Sequence, residues 1–155
     1  MNSKSSLYRL RLSQVERTLE PFLAVKGKPI PRKGWLRSIR ESLGRTVRAQ
    51  AAIAGVAPAT LQKSERSEAE DRITLAQLRK LAEGLDCELV YALLPRKPLH
   101  DMVEERAELL ASKEIMGVTH TMALEDQRPS DSFVSLKVQE RREELLADSW
   151  NKLWR

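Results

Sequence analysis

Residues 46–66, TVRAQAAIAGVAPATLQKSER, read as two short helices joined by a tight turn at Gly55. Ala51 lies four residues before this glycine and Leu61 six after it. Helices that cross closely need a small residue at the crossing, here Ala51. The turn needs a residue that tolerates positive φ, here Gly55. The second helix needs an apolar anchor against the first, here Leu61. This is the plan of a helix-turn-helix, and it turns the rest of the second helix outward, toward a DNA major groove. The outward set is Ala57, Ala59, Thr60, Gln62, Lys63 and Arg66. Arg45, Thr46 and Arg48 stand at the start of the first helix, where the two arginines are placed to hold phosphates. The same spacing also fits two core helices of an unrelated bundle, so the flanks matter.

Upstream, Gly34 to Gly44, GWLRSIRESLG, reads as a helix with Trp35, Leu36, Ile39 and Leu43 on one face. Downstream, in ITLAQLRKLAEGLD, Thr74 and Gln77 have capping-box spacing, and Ile73 with Leu78 the spacing of a hydrophobic staple. Leu75, Leu78, Leu81, Ala82 and Leu85 make the apolar stripe. The order helix, helix-turn-helix, capped helix resembles the Cro and Xre-type repressor domain over about residues 34–86. The resemblance implies a mainly α, lambda-repressor-like fold, here with helical extensions at both ends. Gln50 and Ser64 sit where that family tends to place apolar residues, which leaves the register of the recognition helix open.

The formal charge of +5 hides an asymmetry. Residues 1–66 hold 14 Lys and Arg against 4 acids, and residues 67–155 hold 13 against 18. The first part suits a polyanion, because each cation placed on a phosphate releases condensed counterions. The second part is repelled by DNA and is expected to face solvent or protein. Only 5% of residues are aromatic and 32% are charged, as in a small helical core with much exposed surface. No run of 18 apolar residues suggests a membrane span, and the N-terminus has no apolar core of a signal peptide. With the single Cys87 there is no intrachain disulfide framework, and a cytoplasmic location is expected.

Residues 7–23 look helical, with Leu12, Val15, Leu19 and Leu23 at helical spacing and Pro21 near the end. KGKPIPRKG, residues 26–34, is a basic linker, either a connector or an arm along the DNA backbone. CELVYALLP, residues 87–95, is an apolar run of strand length. A lone strand in a helical chain has no ladder partner, so Cys87, Leu89, Val90, Tyr91 and Leu93 are expected to pair with a second copy and form a two-fold homodimer. Residues 99–116 read as an acidic amphipathic helix with Met102, Val103, Ala107 and Leu110 inward, and the chain's end as a helix aligning Leu146, Trp150 and Leu153. Trp150 and Trp154 pack on the domain or dock a partner.

Catalysis has little to draw on. His100 and His120 stand twenty residues apart, and no phosphate loop, nucleophile elbow or Cys-x-x-Cys pair occurs. No enzyme activity, no metal site and no cofactor is expected. RLRLSQVERTLEPF, PRKGWLRSIRESLG, LDCELVYALLP, MVEERAELLA, THTMALEDQ and the closing KLWR together resemble the family called mobile mystery protein A, small Xre-type proteins found with bacterial mobile elements. The resemblance covers nearly the whole chain. It implies a companion with a Fic domain, an AMP-transferase, and hence a toxin–antitoxin module with this chain as antitoxin and operon repressor. Fic inhibitory helices carry Ser or Thr, three residues, Glu, then Gly or Asn. TMALED has Thr121 and Glu125 but ends on Asp126.

Three segments are therefore expected: residues 1–33 as helix and basic linker, 34–95 as DNA-binding domain with dimerisation strand, and 96–155 as acidic helical extension. The expected partners are double-stranded operator DNA, a second copy and a Fic-domain protein, with no membrane. The alternative is a protein-interaction module that mainly inhibits the Fic protein, with the helix-turn-helix as scaffold.

Overall fold

The computed structural model describes residues 3–124 and 129–155. These form seven α-helices, labelled α1 (Ser3–Leu19), α2 (Trp35–Ser42), α3 (Val47–Ala54), α4 (Pro58–Ala69), α5 (Leu75–Glu83), α6 (Leu99–Leu124) and α7 (Asp131–Ala147), with 3-10 turns at Glu20–Val25 and Trp150–Trp154. They fall into two compact units: residues 25–92, and the described residues of 1–24 together with 93–155. No strand forms among the described residues.

In the unit of residues 25–92, helices α2 to α5 enclose a core of Leu36, Ala51, Leu61, Leu81 and Leu85. Ala51 has no exposed surface, so any larger side chain there would push α3 off α4. Leu61 is the anchor between them; burying it contributes about 1.5–3 kcal/mol. Gly55 holds φ 67°, ψ 35° after α3. Its N–H donates to Ala52 O, and Val56 N–H donates to Ala51 O, which closes α3 in a Schellman turn. Thr46 caps α3 by accepting from Ala49 N–H at 3.1 Å, and Thr74 caps α5 by accepting from Gln77 N–H at 3.2 Å. The expected box at Thr74 is half made, because the Gln77 side chain turns to Ser64 Oγ instead. On α2, Leu36 is buried and Ile39 packs against the core, whereas Trp35 and, just past the helix, Leu43 are about half exposed.

The other unit is a helical layer. In it, α6 and α7 run in opposite directions, since Arg106 Nε donates to Leu153 O and Arg141 pairs with Glu114. Ala107 and Ala111 are fully buried between Val103, Leu145, Leu146 and Leu153. Their small size lets the helices approach closely. The residues expected to align at the chain's end are buried, but on two elements: α7 stops at Ala147, and Trp150 and Leu153 lie on the 3-10 turn. Helix α1 packs Tyr8 and Leu12 on this core, with the Tyr8 ring stacked on Trp150 at 5.5 Å. Met102, expected inward, is exposed, and α6 continues through Gly117 to Leu124. The His100 Nδ1 lies 3.2 Å from Glu16 on α1.

Candidate nucleic-acid interface

Helix α4 divides cleanly by face. Leu61, Ser64, Glu65 and Glu68 are buried, at the i, i+3, i+4, i+7 spacing of one stripe. Ala57, Ala59, Thr60, Gln62, Lys63 and Arg66 are all exposed. The inward stripe is thus mostly polar, and each polar member has a partner. Glu65 takes a bidentate ion pair from Arg40 on α2, at 2.6 and 3.0 Å, with both side chains less than a tenth exposed. Those hydrogen bonds hold the Arg40 guanidinium above its ordinary pKa, against the opposing pull of burial. Arg40 Nη1 also donates to Arg45 O at 2.9 Å. Glu68 accepts from the Trp35 and Leu36 N–H groups at 2.7 and 2.9 Å, so a carboxylate from α4 caps the N-terminus of α2.

The two departures from the family pattern have the same explanation. Gln50 is buried, but its Nε2 donates to Gly84 O at 2.7 Å and its Oε1 accepts from Arg45 Nη1 at 2.9 Å. Ser64 is buried beside the Gln77 amide. Both polar groups have partners, so neither is left unsatisfied inside the unit.

The start of α4 is bare. Ala57 is the N-cap without a side-chain acceptor, and Pro58, the first helical residue, carries no N–H. The first-turn amides and the positive end of the helix dipole are left facing outward beside Thr60 and Lys63. Arg48 is exposed near the start of α3, and its side chain has no hydrogen-bond or ion-pair partner among the described residues. Arg45 differs from expectation. It is half-buried and its Nη1 is committed inside the unit, to Gln50 and to Gly84 O. The Thr46 hydroxyl is likewise committed as the α3 cap.

The expected strand does not form in the single chain. Residues 87–95 belong to no helix or strand, because a ladder needs a second extended segment and a single chain offers none here. Among the described residues, the backbone of residues 88–94 has no hydrogen-bond partner. Cys87 and Leu89 are half-buried, while Val90 and Tyr91 are each 61% and Leu93 85% exposed.

The expected partner-binding residues are not brought together into one surface. Trp150 is a core residue whose Nε1 donates to Leu146 O at 3.0 Å, so it has no face to offer. Trp154 is 56% exposed under the Arg106 guanidinium. Thr121 is exposed on α6 and donates to Gly117 O, and Glu125 lies outside the described residues.

A helix-turn-helix family model matches residues 36–91. That span holds α2 to α5 and most of the extended segment, so this part of the chain carries an Xre-type helix-turn-helix domain. The match points to a DNA-binding transcription regulator. No curated protein and no solved structure matches the chain. Among the described residues, no helix is long and apolar enough to cross a membrane.

Proposed function

We propose that this chain is a sequence-specific DNA-binding repressor that acts as a homodimer. The observation that carries the reading is the division of α4: four inward residues anchored by packing and ion pairing, six outward residues exposed behind a bare helix start. In this reading Gln62 and Lys63 read base edges, Ala57, Ala59 and Thr60 allow close approach, and Arg48 and Arg66 hold phosphates. The unpaired segment 88–94, with Val90, Tyr91 and Leu93 exposed, supports pairing with the same segment of a second copy. A two-fold dimer would present two α4 helices to half-sites one helical turn apart.

The sequence blocks that resemble mobile mystery protein A support a second role for the same chain, as antitoxin to a Fic-domain protein. The scaffold alternative makes Fic inhibition the main role. DNA binding that falls steeply with salt favours the repressor, and a Fic reading frame beside this gene favours the module.

The experiment is titration of the full chain against a duplex it selects from a random pool, and against random duplex. Replacing Gln62 or Lys63 by Ala is expected to cost about 1–3 kcal/mol on the selected duplex and to relax specificity. Equal losses on both duplexes would overturn the base-reading assignment.

A further inference from the structure

Beside the recognition helix, within the same unit, lies an open cleft of about 420 Å³. Its cations are Arg32, Lys33, Arg37, Arg40 and Arg66, and the floor carries one carboxylate, Glu65. Glu65 is consumed by Arg40, which also spends Nη1 on Arg45 O. Glu41, just outside, takes Lys33 at 3.4 Å and Arg37 Nε at 2.7 Å, leaving the Arg37 Nη groups free. The guanidinium groups of Arg32 and Arg66 have no partner among the described residues. Five cations thus line one space against two carboxylates, which leaves the cleft net positive and suited to an anion.

The kind of anion follows from the walls. The lining residues are Arg, Lys, Gln, Glu, Val and Ala, and none is aromatic, so no nucleobase has a ring to stack on. Convergent guanidinium groups match phosphate oxygens, in the bidentate geometry that a lone ammonium lacks. One wall is α4 itself: Gln62 and Arg66, four residues apart, line the cleft and belong to the helix's exposed face. A strand whose bases lie against Gln62 and Lys63 would carry its phosphates past this lip.

We propose that this cleft holds one backbone phosphate of bound DNA, with Arg32 and Arg37 as its principal ligands. The clamp extends the footprint of α4 back to the basic linker, and it does so without reading sequence. It rests on the DNA-binding reading above. Arg40 is a positioning residue, since all its observed bonds run inward to Glu65 and Arg45.

The test compares the full chain with the variant Arg32→Gln/Arg37→Gln. Both side chains are exposed and outside the core, so circular dichroism and melting temperature are expected to be unchanged. On selected and random duplexes alike, the variant should lose affinity by the same factor, and the slope of log K against log salt should flatten by about one unit. Ethylation interference on the wild-type chain, which needs no variant, should show one backbone phosphate per half-site whose signal disappears with the double variant. An unchanged slope and an unchanged interference pattern overturn the clamp while the reading of α4 stands, provided the wild type still discriminates its selected duplex. Inorganic phosphate at constant ionic strength distinguishes the other source. If it shifts the Arg32 and Arg37 Nε resonances while the variant binds duplex as the wild type does, the cleft is a free-phosphate site and the proposal fails. If the wild type binds no duplex at all, the DNA-binding reading falls and takes the clamp with it.

Discussion

Two glutamates on α4 face inward, and each holds something an apolar side chain could not. Glu65 fixes Arg40, and Glu68 caps α2. Removing one member of a buried ion pair strands the other, which costs about 3–5 kcal/mol. In a unit of this size that is most of the folding free energy. Glu65→Ala is therefore expected to bring residues 25–92 close to unfolding at room temperature, measured by urea titration. Glu65→Leu combined with Arg40→Met should recover much of the loss, because both charges leave together. A loss below about 1 kcal/mol for Glu65→Ala would mean water reaches the pair and the burial is not real. Ala51, Gly55 and Leu61 were legible from spacing alone, because each is a local requirement of crossing, turning or anchoring. Glu65 and Glu68 were not. A carboxylate in a helical stripe reads as solvent-facing, and their partners stand 25 and 32 residues away.

The four helices of the residue 25–92 unit end alike. Gly44, Gly55, Asp71 and Asp86 each take positive φ, between 56° and 67°, and each is followed by an N–H that reaches back across the last turn. The glycines mark these stops in the sequence. The aspartates do not, since they adopt the left-handed conformation only occasionally. Gly84 illustrates the opposite error: its φ is −64°, and it is small because Ala54 Cβ and Gln50 Nε2 would lie 3.1 and 3.2 Å from an added Cβ. The segment after α5 was legible as apolar and as lacking a partner within the chain, whereas what it pairs with is not written in the stretch itself. Its dimer reading makes a definite expectation. Tyr91→Asp should leave the melting temperature of the monomer unchanged, since Tyr91 is 61% exposed, yet sediment as monomer and bind the selected duplex much more weakly. A dimer that persists with unaltered DNA affinity would remove this segment from the interface.

The division of the chain was the least legible feature. Composition separates a basic first part from an acidic second part, while the helical spacing of residues 7–23 and the basic linker 26–34 set residues 1–33 apart as a leading helix and linker. In the structure, α1 packs within the same unit as α6. The stripe expected over residues 7–23 holds in part: Leu12 packs on the core, but Val15 and Leu23 are nearly half exposed, and Tyr8, left out of that stripe, stacks on Trp150. Nothing local marks a contact between rings 142 positions apart. A fragment of residues 25–95 retains a complete core and the extended segment. It should unfold cooperatively in urea and keep the full chain's ratio of selected to random affinity. It should also fail to co-purify with a Fic-domain protein that the full chain retains, since residues 99–155, with 8 basic and 12 acidic residues, are the half suited to protein contact. A folded fragment that still carries the partner would move that surface into residues 25–95.

Gly34 and Glu68 form a pair whose consequence reaches beyond this one molecule. A Cβ at position 34 would lie 2.7 Å from the Glu68 carboxylate, and Gly34 holds φ at 80°. Without that carboxylate, the first two amides of α2 lose their acceptor. The dependence runs one way: a side chain at 34 evicts the cap, while the backbone at φ 80° asks for glycine whatever stands at 68. Over generations Glu68 is the freer of the two sites, and descendants of this chain that keep the carboxylate should keep the glycine.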